Sequence, residues 1–138
     1  MPVTDFPAAG TVLAVEAGRL VFAPVNTTYR LHLHCAAADP GLVGKCVRGL
    51  IRLAARKLMT VSSGGNFIAP IQGPPRIVQG RVLYLDQRQM VLRAGTHIVV
   101  DLPAEDFALD LTRGPLAEGT LVNVAAAHAA SFEPASPA

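Results

Sequence analysis

GRVLYLDQRQMVLRAGTHIVVDL, residues 80–102, is the stretch on which the fold turns. Its apolar residues come in three short runs, Val82–Leu85, Met90–Leu92 and Ile98–Val100. Between them lie Asp86-Gln-Arg88 and Ala94-Gly95, residue types that favour tight turns or tolerate positive φ. Branched side chains lose freedom in a helix and pack well on a pleated surface. The stretch therefore reads as strand, turn, strand, turn, strand.

The same plan recurs along the chain. Four segments open with glycine and continue as a short apolar strand: Gly10-Thr-Val-Leu-Ala-Val15, Gly49-Leu-Ile-Arg-Leu-Ala54, Gly80-Arg-Val-Leu-Tyr-Leu85 and Gly119-Thr-Leu-Val-Asn-Val124. The steps between these glycines are 39, 31 and 39 residues, which suggests a duplication with an offset of 70. The Gly49 unit aligns without gaps on the Gly80 unit: Ile51 on Val82, Met59 on Met90, Gly64 on Gly95, and Phe67-Ile68-Ala69 on Ile98-Val99-Val100. That alignment places turns at Ala54-Ala-Arg56 and Ser63-Gly64-Gly65. In the first unit, turns at Glu16-Ala-Gly18 and Val25-Asn26 separate Val12, Leu20-Val21-Phe22 and Tyr29-to-Leu31.

Residues 43–58 admit two readings. Asp39-Pro40 is a helix-start signal, and Cys46, Val47, Leu50, Ala54 and Leu58 share one helical face opposite Lys45, Arg48, Arg52 and Arg56. Gly41, Gly44 and Gly49 oppose a helix, each costing about 1 kcal/mol relative to alanine. Strands from about residue 47, after a short helix over 40–46, satisfy both signals. Further strands are expected near Asp106–Thr112, where Phe107, Leu109 and Leu111 alternate with polar or small residues, and near Thr120–Ala125. Ile71-Gln-Gly-Pro-Pro75 reads as a connector between the copies. The expected architecture is all-β: about ten short strands in a small barrel or sandwich, OB-like or a related Greek-key barrel. It comprises an N-terminal arm (1–9), one β domain (10–126, with units 10–79 and 80–126) and a flexible Ala/Ser/Pro-rich tail (127–138).

Composition agrees with one packed domain: 138 residues, 51% hydrophobic and 16% charged, which excludes wholesale disorder. Two cysteines, Cys35 and Cys46, are too few for a disulfide scaffold and form no CxxC. The start MPVTDFPAAG has no basic stretch before an apolar run, and no window holds 18 uninterrupted apolar residues. A cytoplasmic, reduced protein without a membrane span is the expectation.

Net charge is only +2, but it is unevenly spread. Between residues 45 and 93, nine basic residues face Asp86 alone; from 101 onward, six acids face Arg113 alone. A basic groove neutralises phosphates, and aromatic faces stack on unpaired bases. On a strand, Arg48, Arg52 and Arg56 share one face, and with Lys57, Arg81 and Arg88 they are the candidate phosphate contacts. Tyr29 and Tyr84 are the candidate exposed stackers, while Phe22, Phe67 and Phe107 read as core. His32 and His34 lie two apart on a strand and could ligate zinc with a third ligand from His97 or Cys46. The alternation Leu31-His32-Leu33-His34 fits equally a strand with histidines outward and leucines inward.

No GxSxG, P-loop or GxGxxG is present, Glu105 and Asp106 diverge on a loop, and no catalytic residue or cofactor is expected. The strand rhythm from Val78 to Val124 resembles that of the PilZ domain, which binds a cyclic dinucleotide. The Asp/Asn-x-Ser-x-x-Gly element of that family is missing; Asp86-Gln-Arg-Gln-Met90 stands at the turn instead. The function expected is non-catalytic binding through a basic central face, with single-stranded nucleic acid or another polyanion as partner. The alternative is a structural or adaptor protein that self-assembles or binds a protein partner through apolar and complementary charged faces.

Overall fold

The computed structural model describes residues 3–105 and 108–134. Twelve strands form one sheet: β1 (Ala8–Glu16), β2 (Arg19–Pro24), β3 (Arg30–His34), β4 (Cys46–Thr60), β5 (Phe67–Ala69), β6 (Gln72–Gly73), β7 (Ile77–Leu85), β8 (Gln89–Arg93), β9 (His97–Asp101), β10 (Leu109–Asp110), β11 (Leu121–Ala126) and β12 (Ser131–Pro134). The described residues contain no α-helix; 3₁₀ turns lie at Val3–Asp5 and Pro40–Leu42. In the second of these, Asp39 Oδ1 accepts the Gly41 N–H at 2.9 Å, the cap that Asp39-Pro40 signals.

The stretch 80–102 forms β7, β8 and β9 as read, an antiparallel meander. Residues 10–34 do the same in β1, β2 and β3. The two meanders match in detail. Both carry an irregular register at the same relative place, between Val12 and Ala14 and between Val82 and Tyr84, 70 residues on. A Cβ on Gly10 would collide with the Ala23 carbonyl, and one on Gly80 with the Arg93 carbonyl. Glycine at these positions lets the neighbouring strand approach closely.

The meanders are linked through β4, a single strand of 15 residues. Its first half pairs with β1 on one edge and β12 on the other, while β12 adjoins β3 in parallel. The path β1-β2-β3-β12-β4 thereby returns to β1. Its second half pairs in parallel with β9 on one edge and antiparallel with β11 on the other, and β11 pairs with β7. The path β7-β8-β9-β4-β11 thereby returns to β7. Inward residues of both circuits, among them Val12, Phe22, Leu31, Leu53, Val82, Leu92, Val100, Val122 and Phe132, form one continuous buried cluster.

Several expectations are corrected. Ala54-Ala-Arg56 is no turn; β4 runs straight through it, with Leu53 and Ala55 both buried. The strand expected near 106–112 is reduced to Leu109–Asp110, and Phe107 lies outside the described residues. The tail expected from residue 127 contains β12, where Phe132 is only 3% exposed and stacks on Phe22 with ring centroids 5.0 Å apart. Phe67, expected in the core, is exposed. The arm is part of the packed structure as well. Val3 and Phe6 cover Leu50, Leu83, Tyr84, Val91 and Val99 on the outer face of the second circuit, and β1 already begins at Ala8.

Candidate functional site

Successive side chains of a strand point to opposite faces of the sheet. In the second circuit, Arg81 on β7 is the register partner of Arg93 on β8, and Arg93 is the register partner of His97 on β9. Three cationic or protonatable side chains thus stand in one rank across three adjacent strands. Directly opposed side chains sit about 5 Å apart at Cβ. Arg81 is steadied by donating from Nη1 to the Gly119 carbonyl at 2.9 Å. His97 Nδ1 lies 3.0 Å from the Pro7 carbonyl, and its ring stands edge-on to Phe6 at 5.7 Å. The N-terminal arm therefore fixes the imidazole at one end of the rank.

Two of the three, Arg93 and His97, line a cleft of about 1100 Å³. The cleft lies between the β2–β3 loop, contributing Val25 to Tyr29, and the β8–β9 turn, contributing Arg93 to His97; Asn66 and Ile71 close its side. Its lining holds Arg93, His97, two asparagines, three threonines and Tyr29, and, among the described residues, no carboxylate. The two loops occupy corresponding places in their circuits. Asn26 and Gly95 supply the turns, with φ of 61° and 86°. Tyr29 packs beside Gly95, and its hydroxyl accepts the Ile68 N–H at 3.1 Å, so the ring is held in the cleft wall.

Of the six basic residues singled out in the sequence, only Arg81 belongs to this rank. Arg48 is exposed and pairs across the ladder with Ala9, which lines the cleft. Arg52 lies four residues further along β4, about 13 Å away at the strand rise. It is 28% exposed, its Nη1 is 3.4 Å from Gln89 Oε1, and its Nε is 2.9 Å from Glu133 Oε1. The Nε–H is not aimed at the carboxylate, so that contact is a charge pairing rather than a hydrogen bond. Arg56 and Lys57 are exposed beyond it, where the β4–β11 register shifts and breaks the alternation expected for Arg48, Arg52 and Arg56. Arg88 is exposed in the β7–β8 turn, beside Asp86 and Asp101. The six are thus distributed over several places rather than one groove.

Tyr84 is no free stacker. Its hydroxyl donates to Asp86 Oδ2 at 2.9 Å, and this bond is the main cause holding the phenol above its ordinary pKa. Asp86 Oδ1 accepts the N–H groups of Arg88 and Gln89 at 2.8 and 2.9 Å; these bonds, with that of Tyr84, hold its carboxyl below the usual range. Asp86 therefore organises the turn.

His32 and His34 point outward from β3, with Leu31 and Leu33 fully buried beneath. His34 is the register partner of Arg19, a cation. His97 is engaged with the arm, and among the described residues no three of His, Cys, Asp and Glu gather where a metal could be held. The alternation in the sequence marked the solvent face of a strand. Arg93 and His97 were missed as a pair because their proximity to Arg81 depends on the registers of three strands.

No protein-family model, curated protein or solved structure matches the chain. Among the described residues, no helix is long and apolar enough to cross a membrane.

Proposed function

We propose that the chain is a non-catalytic binding module for a polyanion, single-stranded nucleic acid first among them, seated in the cleft beside Arg81, Arg93 and His97. The rank of these three side chains next to a cleft that no carboxylate of the described residues lines carries the reading. Phosphate oxygens at a spacing of one per nucleotide suit cations set in a row, and the amides and hydroxyls of Asn26, Thr28, Asn66 and Thr96 offer further donors. The fold supports it. Each circuit has the order first-second-third-fifth-fourth, with the third and fifth strands parallel, and we read each as an OB-like barrel. The two are copies of one unit of about 70 residues that exchange their fifth strands: β12 completes the first barrel and the second half of β4 completes the second. OB-type barrels use the face of their second and third strands for oligonucleotides, and the rank crosses that face.

Fluorescence anisotropy of a labelled single-stranded oligonucleotide at several salt concentrations tests this. The logarithm of the affinity should fall with that of salt by about 0.7 per phosphate contacted, and Arg81→Glu/Arg93→Glu should abolish binding while the melting temperature holds. No binding at low salt, or binding unaffected by the double substitution, refutes it. A second reading, an adaptor that self-assembles or takes a protein partner, draws on Val25 and Ile71, which are 49% and 61% exposed on the same cleft. It is favoured if the protein elutes as an oligomer and the oligonucleotide does not bind.

A further inference from the structure

A second cleft, about 540 Å³, opens at the far end of β11. Three elements meet there. Arg76 immediately precedes β7, and its carbonyl accepts the Ala126 N–H at 2.8 Å. On the other side of β11, the Ala54 carbonyl of β4 accepts the Ala127 N–H at 2.8 Å. Arg56 is the residue at which the β4–β11 register slips, Ala125 pairing with Lys57 but Ala126 with Ala55. Arg56 and Arg76 thus flank β11 from its two neighbours, about 10 Å apart at the backbone by strand spacing. Two arginine side chains span that distance and can converge on one anion. Between them Ala125 and Ala126 form a floor of small side chains, and His128 stands at the exit of β11. Pro74, Pro75 and Ile77 make an apolar wall. Among the described residues no carboxylate lines the cleft, and the one ion pair lies elsewhere, between Arg52 and Glu133.

We infer that this cleft is a separate site for a phosphate monoester borne on an apolar group. Two guanidinium forks match the oxygens of a phosphate, which they bind by charge-assisted hydrogen bonds. The imidazole of His128, whose Nδ1 lies 3.4 Å from the Ala129 carbonyl, stands beside the pair, and the proline wall receives the apolar part. Backbone bonds of Ala126 and Ala127 fix where the two arginines leave the chain; ordering their exposed side chains is the cost that binding must offset. The site shares no residue with the cleft beside Arg93 and stands whether or not that cleft binds a polyanion.

Phenyl phosphate and inorganic phosphate are the probes, titrated into the full chain and followed by amide ¹H–¹⁵N shifts. Phenyl phosphate should give saturable shifts confined to residues 54–57, 74–77 and 125–129, and should bind more tightly than inorganic phosphate. Arg56→Gln/Arg76→Gln should weaken it about tenfold or more, as loss of charge-assisted bonds requires, and Arg93→Glu should leave it unchanged. Both arginines are exposed, so folding is not at stake; Arg76→Gln alone provides a milder check. Shifts that do not saturate, equal affinity for inorganic phosphate, or full binding by the double variant overturn the proposal.

Discussion

Replacing Phe132 by alanine tests whether the C-terminal strand completes the first circuit. The ring is 3% exposed, lies 5.0 Å from that of Phe22 at an interplanar angle of 33°, and sits where a side chain on Gly49 would otherwise be. Truncating a buried phenylalanine costs about 3–5 kcal/mol, the larger values applying where the surroundings cannot close in. Here they cannot. Gly49 has no side chain to offer, and its backbone is tied to β1 on one edge and β12 on the other. Phe22 also loses an aromatic neighbour, worth about 0.5–1.5 kcal/mol beyond area. Phe132→Ala should therefore destabilise by about 4 kcal/mol, a large share of the roughly 5–15 kcal/mol that holds a domain together. For a chain of this size that is a fall of about 10–20 °C in Tm. Urea unfolding followed by circular dichroism, with the slope m compared between variants, measures it. A variant within about 0.5 kcal/mol of the parent would refute the placement of β12, because only an exposed side chain tolerates such a loss.

Other substitutions probe separate joints. Gly80→Ala puts a methyl into the Arg93 carbonyl and Gly10→Ala one into that of Ala23, so each should cost about 1–3 kcal/mol or more; Gly65→Ala meets nothing and should be within about 0.5 kcal/mol of neutral in thermal melts. Glu133→Gln removes the charge partner of the 28%-exposed Arg52, and solvent screening limits the loss to about 0–1 kcal/mol, shrinking with added salt. Asp86→Asn should lower Tm at neutral pH. Because folding depresses the Asp86 pKa, its contribution is present above the unfolded carboxylate value and disappears as pH falls through the folded one. The Tm gap between parent and variant should therefore begin to narrow near pH 4 and close as pH falls further, through the depressed folded value; a gap that does not narrow on acidification counts against the assignment.

The sequence displayed its strands where turn chemistry and branched residues coincide. Asp86-Gln-Arg88 and Ala94-Gly95 punctuate 80–102 as expected, and the Leu-His alternation in β3 sorted inside from outside correctly. It misled at Ala54-Ala-Arg56, made into a turn by alignment on Asp86-Gln-Arg88. Those alanines carry no turn chemistry, and Leu53, Ala55 and Leu58 are all buried along one strand. It also hid β12. An Ala/Ser/Pro-rich segment holds one large apolar residue, Phe132, and that residue is buried by Phe22 and Gly49, far away in the chain. Single basic residues could be counted, but a rank needs registers. Arg81, Arg93 and His97 come together through two ladders, whereas Arg56 falls at a slip that no spacing reveals and so leaves the face of Arg48 and Arg52.

The two circuits depend on each other for closure, and this bears on folding. The first circuit holds β1, β2, β3 and the first half of β4, but the strand that joins β3 to β4, β12, is the last of the described strands. The second holds β7, β8, β9 and β11, but its closing strand is the second half of β4. Residues 1–75 alone would leave β3 and β4 with open edges and expose the face that Phe132 covers; residues 76–138 would lack β4 altogether. Neither fragment should fold by itself. Produced together, they should recover the native amide spectrum, since every ladder is restored. The intact chain should unfold in one transition, with calorimetric and van't Hoff enthalpies equal and tyrosine fluorescence coincident with far-ultraviolet circular dichroism. Independent melting of the two halves, or a folded fragment 1–75, would show that each circuit closes without the other's strand, and the exchange would then be dispensable for the fold.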